Sequence, residues 1–555
     1  MKRYTCLPQG ILDKHYSEQQ LFDILYQASL FEGKLLFIGR LLERAASLAP
    51  NNVALMYKEQ TISYHDLYAR AVALSKLLQA RGVQKKDRVL LFWENAIEFY
   101  VAYFAVLQLG AVIAPLNVFL TEAEVVHIIA DAQPRLMIVS DELFERIKNS
   151  ALPPLVRLSD FPAASGCATA DMTEAAALRS LPSQKARINE GRAPSDEQEI
   201  TDFKITDLEP EEMAALLYTS GTTGFPKGVM TSSKNAMTNV LQGIARLKLG
   251  LEHGERLLGI LPLFHSFAQF VCIWGAFFTC STVIVVPRIE RRYLLEGLKK
   301  QPTMFLGVPA LYGLLLLLRR INLDSIKYFV SGGDALQDKI CAGFELLYRR
   351  KICSGYGLTE TSPLISAQLE DEAVSAATVG KLVVGIQAEV RDENGKPLPQ
   401  GQIGELWVKG DNIMLGYYNA PEATDAVLKN GWFNTGDNVY FDSENRLVIA
   451  GRVKDVIASK GIKIYPQEIE NVIMSHPQVI RVGVIGREEK SVGQVPVAYV
   501  QVREITPTLE TELQELCSSR LAPYKIPRAF ICVTDGLPIT ATGKVDKKRL
   551  NNIQK

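Results

Sequence analysis

The chain has 555 residues, more than one hydrophobic core organises and enough for two to four domains. Hydrophobic residues make up 47 % of it and charged residues 22 %, an ordinary globular balance, and Lys plus Arg equals Asp plus Glu at 61 each. A formal charge of zero argues against the basic excess of a nucleic-acid-binding protein, so no nucleic acid partner is expected. Cys6, Cys167, Cys272, Cys280, Cys341, Cys353, Cys517 and Cys532 form no CxxC pair and no Cys/His cluster. That pattern argues against a zinc site or a disulfide framework and fits a reducing compartment.

Residues 1–36 read as an N-terminal extension. The opening MKRYTCLPQGILDKHYSEQQ lacks the apolar core of a signal peptide. The protein is therefore expected in the cytoplasm, with at most a peripheral contact at the inner membrane face. From residue 50 to 141 hairpin, helix and strand alternate: NVALMYKEQTISY, then HDLYARAVALSKLLQARGV, DRVLLFW, AIEFYVAYFAVLQLG, AVIAPLN, a helix opened by a Thr121/Glu124 capping box, and LMIVSD. Such alternation predicts a largely parallel α/β sheet. Residues 160–207 are polar and rich in small residues, and predict a loop insertion. The apolar stretch 257–286 is long enough to raise a membrane span, but Pro262, His265, Ser266 and Gln269 interrupt it. It reads instead as a buried helix followed by a buried strand. Short strands with turns predict a β-rich subdomain over 390–453, and residues 454–555 predict a separate α+β module.

LLYTSGTTGFPKGVM (216–230) carries the most chemistry. An apolar strand runs into Thr219, Ser220, Gly221, Thr222, Thr223 and Gly224, followed by Phe225, Pro226 and Lys227. Glycines admit an anion to backbone N–H groups, hydroxyls add donors and the lysine adds charge, as a triphosphate cradle requires. It is not a Walker A loop, because Pro226 precedes the lysine and Gly228 follows it. On composition alone, a Gly/Thr surface turn is the alternative.

YTSGTTGFPKG resembles the phosphate-loop signature of the adenylate-forming (AMP-binding) superfamily, which includes acyl-CoA synthetases, peptide-synthetase adenylation domains and luciferases. The resemblance spans residues 40–550, with further segments in the expected order. It implies an α/β fold: a large N-terminal domain (37–453) of doubly wound sheets plus the β-rich subdomain, with a mobile C-terminal domain. GYGLTET (355–361) resembles the adenine and magnesium segment. There Tyr356 and Gly357 would border the purine, Thr359 would donate to the α-phosphate, and Glu360 would hold Mg²⁺ with Thr219. Read alone, GYG is a turn. SGGDAL (331–336) resembles the segment whose backbone borders the adenine, through Gly333, Asp334 and Ala335; the family often has alanine or glutamate at Asp334, so only the backbone role carries over.

The resemblance assigns Asp437 of FNTGD and Arg452 of GRVKD to the ribose, and Lys454 to a hinge about which the small domain rotates between half-reactions. SKGIKIYPQEIE (459–470) matches the strand lining a thiol tunnel, with Lys460 and Gly461 beside the pantetheine arm. Lys544 of TATGK matches the lysine that contacts the carboxylate and α-phosphate. His265 of PLFHSF corresponds to a family histidine at the acyl end, where it would position the carboxylate or gate the pocket; a buried structural histidine is the alternative.

The reaction implied is ATP-dependent adenylation of a carboxylic acid and transfer of the acyl group to a thiol, with Mg²⁺ as cofactor and ATP and coenzyme A as co-substrates. The resemblance implies that residues 257–286 line the acyl pocket, where amino-acid-activating members place an aspartate for the α-ammonium. This stretch has no Asp or Glu, so an amino acid is disfavoured. A medium- to long-chain fatty acid is expected, with an aryl acid behind it. Eleven residues follow Lys544 without a carrier module, so the thiol is expected from a separate molecule, coenzyme A or acyl carrier protein. A non-catalytic acyl- or nucleotide-binding relative is the third reading, which the presence of Lys227, Glu360, Asp437, Arg452 and Lys544 disfavours. Nothing in the pattern sets an oligomeric state.

Overall fold

The structure, a computed structural model, describes residues 7, 11, 15–161, 203–219, 226–252, 254–318, 321–373, 375, 377–459, 462–489, 493–539, 545–550 and 553. The first sheet grows out of the strand–helix alternation. Strands Arg88–Phe92, Val112–Pro115, Leu136–Val139 and Leu155–Val156 pair in parallel, and Met213–Thr219 joins them beside Val112–Pro115. Lys227–Ser232 and Gly416–Tyr417 extend that edge antiparallel, completing seven strands. Val89 to Phe92 are all buried, as strands covered on both faces must be. Helix Ile97–Gln108 buries every residue except Glu98, which accounts for its apolar composition all round.

The second sheet has nine strands. Val53–Tyr57, Thr282–Val285, Arg256–Gly259, Met304–Gly307, Tyr328–Ser331 and Cys353–Gly357 are its parallel core. Gln60–Ser63 closes one end, and Leu364–Ala367 with Lys381–Leu382 the other, all antiparallel. Both sheets contribute to one continuous core. The α/β class expected from the alternation is the fold observed.

Two local readings change. The 257–286 stretch opens with a strand, Arg256–Gly259, which pairs in parallel with Thr282–Val285. The helix between them runs through Ser266–Ala268 and Ala276–Phe278, with Gln269–Gly275 wound as a π-helix. Continuous hydropathy hides that first strand, because strand and helix are buried alike. Among the described residues no helix is long and apolar enough to cross a membrane. GYG is likewise no turn: it ends the strand Cys353–Gly357. A Cβ on Gly357 would lie 1.6 Å from the Pro363 carbonyl oxygen, so the glycine is required by a close backbone approach.

The capping box at Thr121 forms, with Thr121 N donating to Glu124 Oε2 at 2.8 Å. Near the N-terminus, helix Glu18–Ala28 buries Leu21, Leu25 and Ala28, and Glu18 Oε1 accepts from Val384 N at 3.0 Å. Most of the 160–207 insertion (162–202) lies outside the described residues.

Strands Gln387–Arg391, Gly404–Lys409, Leu428–Lys429, Trp432–Phe441 and Leu447–Arg452 make an antiparallel sheet of five. A further five-stranded sheet joins Ile457–Ser459, Ile462–Ile464, Val479–Glu489, Gly493–Val502 and Ala529–Val533. Helices Pro466–Met474 and Leu509–Arg520 pack on it around Ile464, Ile469, Val484, Val500 and Leu513, a core separate from the large one. Polar contacts also tie this C-terminal sheet to the rest: Lys339 Nζ donates to the Val479 carbonyl at 2.9 Å, and Lys463 pairs with Glu393.

Candidate active site

Several of the residues singled out in the sequence meet where the strand Cys353–Gly357 approaches the last hairpin of the β-rich subdomain. Asp437, on Trp432–Phe441, stands opposite Arg452 on Leu447–Arg452. Cross-strand register puts their side chains together, and Arg452 Nε pairs with Asp437 Oδ1 at 2.8 Å. The other carboxylate oxygen, Oδ2, accepts from Tyr356 OH at 2.5 Å. Asp437 is 3 % exposed, so these donors replace water around its charge. Burial, then the Asp437 carboxylate, pushes the Tyr356 hydroxyl well above its ordinary range. Burial opposes the charge on Arg452, but Asp437 overcomes it and holds the guanidinium above its usual value.

Past Tyr356 the chain makes a single 3₁₀ turn, Thr359–Thr361. Thr359 Oγ1 lies 3.2 Å from Ser266 Oγ, which ties this turn to the start of the 266–278 helix. Glu360 Oε1 accepts from Tyr417 OH at 2.8 Å, and its main-chain carbonyl accepts from Met414 N at 2.9 Å. Glu360 Oε2 takes no hydrogen bond from any described residue. Thr219 and Lys227 face each other across the paired strands that flank the glycine-rich segment. Lys227 Nζ sits 5.4 Å from the centre of the Tyr417 ring.

Gly333, with φ of 80°, follows the strand Tyr328–Ser331, and Asp334 Oδ1 accepts from Ala335 N at 2.9 Å. That bond closes the turn after the strand and engages the Ala335 N–H with its neighbour's side chain. His265 caps the 266–278 helix, its Nδ1 accepting from Phe267 N at 3.2 Å. Lys454 lies in the turn Val453–Asp455 that links Arg452 to the C-terminal sheet. Burial first, then Arg452 and Lys548, lowers its pKa against the pull of Asp455 and Asp437. Ser220, Gly221, Thr222, Thr223, Gly224, Lys460, Gly461 and Lys544 lie outside the described residues. Strands Ile457–Ser459 and Ile462–Ile464, which flank Lys460 and Gly461, pair antiparallel, and Ile539 bridges Val545 beside Lys544.

The structure therefore joins Tyr356, Asp437 and Arg452 at one end, and Thr359, Glu360 and Lys227 at the other. Ser266 and Tyr417 were not among the residues selected from the sequence. Ser266 had a weak signal, as the neighbour of His265; Tyr417 had none, since GYYNAPEAT reads as an edge strand and a helix start. No cluster of three or more His, Cys, Asp or Glu occurs among the described residues. A lone carboxylate with one free oxygen suits Mg²⁺, which keeps its waters and binds through one or two carboxylates plus substrate phosphates.

Residues 42–418 match the model of the AMP-binding enzyme family, and residues 468–544 that of the AMP-binding enzyme C-terminal domain. The chain belongs to the AMP-binding enzyme family. It is 31 % identical to a long-chain-fatty-acid–CoA ligase of Bacillus subtilis (strain 168), covering 92 % of this chain and 93 % of that protein. The fold matches ATP-bound MatB from Rhodopseudomonas palustris with a TM-score of 0.79 at 28 % identity, covering 93 % of this chain and 98 % of that one. It also matches the o-succinylbenzoate coenzyme A synthetase MenE from Bacillus subtilis, in complex with ATP and magnesium ion, with a TM-score of 0.76 at 26 % identity over 92 % and 99 % of the two chains. These relatives place this AMP-binding enzyme among the AMP-forming acyl-CoA synthetases.

Proposed function

We propose that this enzyme adenylates a medium- to long-chain fatty acid and transfers the acyl group to coenzyme A, releasing AMP and pyrophosphate. The observation that carries the choice of acid is the wall beside Thr359. It is the 266–278 helix, which presents Ser266 to Thr359 and holds Phe267 against Gly332, where a Cβ would lie 3.3 Å from the ring. No carboxylate occurs anywhere in 257–286, so nothing there would pair an α-ammonium. The name of the Bacillus subtilis relative supports the same acid, while that of the o-succinylbenzoate enzyme makes an aryl acid the natural competitor.

Attack of a carboxylate on the α-phosphorus of ATP brings two anions together, so charge neutralisation is the main need. Tyr356 would stack on the adenine beside the Gly333–Ala335 backbone, and Asp437 and Arg452 would hold the ribose. Lys227, with the donors of the Thr219–Gly224 segment, would take the β- and γ-phosphates. Bound at Glu360 and Thr219, Mg²⁺ would supply charge stabilisation on the phosphate oxygens. Thr359 would donate to the α-phosphate, and Lys544, in contact with the carboxylate and the α-phosphate, would stabilise the charge that develops at the transferring phosphorus. Rotation about Lys454 would withdraw Lys544 and bring Lys460 and Gly461 to the thiol path, so that one cleft serves both steps.

ATP–pyrophosphate exchange over fatty, aryl and amino acids, then thioester formation with coenzyme A or acyl carrier protein, tests this reading. Exchange is expected with apolar fatty acids and thioester with coenzyme A. Exchange confined to aryl or amino acids would overturn the substrate, and thioester formed only on carrier protein would overturn the acceptor.

A further inference from the structure

Tyr417 stands in none of the motif segments named above, yet it touches both Glu360 and Lys227. It belongs to a two-residue edge strand, Gly416–Tyr417, paired antiparallel with the strand that leaves the glycine-rich segment, Tyr417 opposite Val229. Main-chain bonds hold this short segment on both sides. Leu415 N donates to Met230 O at 2.9 Å, Tyr418 N to Gly228 O at 2.8 Å, and Met414 N to Glu360 O at 2.9 Å. Tyr417 N donates to Thr424 Oγ1 at 2.9 Å. So much fixing of so short a strand leaves the phenol little freedom.

From that position the phenol donates to Glu360 Oε1 at 2.8 Å, while Lys227 Nζ lies 5.4 Å from the ring centre. An ionised carboxylate can only accept, so the phenol is the donor in that contact. Lys227 makes no ion pair with any described residue, although Glu360 contacts the same tyrosine. A neutral phenol thus serves each charge on a different part of one ring, hydroxyl to carboxylate and π-face to ammonium. Neither charge is spent on the other.

We propose that Tyr417 is a positioning residue for the metal–phosphate end of the site, orienting the Glu360 carboxylate for the metal and keeping Lys227 available to the phosphates. The proposal rests on the assignment of Mg²⁺ to Glu360. Orienting partners of a metal ligand commonly change metal affinity by about 10- to 100-fold when removed.

The test measures Mn²⁺ binding in the presence of ATP, from the EPR signal of free Mn²⁺, with AMP affinity and melting temperature as parallel readouts. Tyr417→Phe keeps the ring and loses the hydroxyl, and should weaken Mn²⁺ binding about tenfold while AMP affinity and melting temperature stay near the unaltered protein's. Tyr417→Leu also removes the ring, and should in addition weaken pyrophosphate binding, which Tyr417→Phe should spare. Glu360→Gln serves as the reference. Loss of Mn²⁺ binding in Glu360→Gln but not in Tyr417→Phe overturns the role of Tyr417 and leaves that of Glu360 intact. No loss in either overturns the metal assignment itself. Parallel loss of Mn²⁺ and AMP affinity in Tyr417→Phe overturns the proposal in favour of a general structural role, and equal pyrophosphate affinity in the two tyrosine variants overturns the part played by the ring.

Discussion

At the ribose end of the proposed nucleotide site, Asp437 is already paired with Tyr356 and Arg452, and all three stand on paired strands. At the phosphate end, Glu360 keeps one oxygen without a hydrogen bond from the described residues, Lys227 makes no ion pair with them, and what touches both is a tyrosine on a two-residue edge strand. The two ends neutralise buried or half-buried charge differently. The ribose end is a closed network whose members also support the fold, because removing one strands the others. The proposed phosphate end would leave Lys227 to the phosphates and Glu360 to the metal that accompanies them. Binding and stability should therefore be coupled at the first end and separable at the second.

The largest break should come from outside both ends. Lys544→Ala is expected to cut ATP–pyrophosphate exchange by about 10²- to 10³-fold, the effect of removing one charge-stabilising donor, while supplied acyl-adenylate still forms thioester. Equal loss of both steps would refute the withdrawal of Lys544 between them.

Two substitutions sharpen the contrast itself. Asp437→Ala should weaken AMP binding and lower the melting temperature together. Breaking a fully buried pair costs about 3–5 kcal/mol, but the Arg452 side chain is 44 % exposed and can turn to water, so about 1–2 kcal/mol is expected. Glu360→Gln should change stability by no more than about 0.5 kcal/mol while metal affinity falls. Calorimetry beside ligand titration measures both, and matching stability losses would erase the distinction.

The smallest effect concerns a carboxyl remote from the network. Glu255 is 2 % exposed, and burial followed by Glu252 pushes its pKa from 4.5 up to about 7. Between those values the folded protein binds more protons than the unfolded chain, so stability falls as pH rises. The contribution of the neutral form is complete below 4.5 and is lost through about 7. Glu255→Gln should flatten that slope and raise the melting temperature at pH 8 by a few degrees, with AMP affinity unchanged; an unaltered slope would locate the titration elsewhere.

Much of the architecture was legible in local patterns. Alternating strands and helices over 50–141, the capping box at Thr121 and the proline opening helix Pro466–Met474 depend on neighbours within a few residues, and all appear in the fold. Tyr356, Asp437 and Arg452 were singled out through the resemblance of their segments to family motifs. Their mutual hydrogen bonding was not legible there, because it arises from strand register and from the approach of one sheet to another. Read alone, GYG is a turn by local preference; the folded chain needs Gly357 because the Pro363 carbonyl passes where a side chain would stand.

The sequence by itself determined the class of fold, through short-range alternation, and the family, through motifs that resemble those of other members. It also shows that residues 257–286 carry no carboxylate. Only the tertiary structure decided that the Asp437 carboxylate is already paired and that Tyr417 touches both Glu360 and Lys227. Those relations connect residues far apart in the chain, and no local propensity encodes a contact that exists only after two sheets and an edge strand have come together.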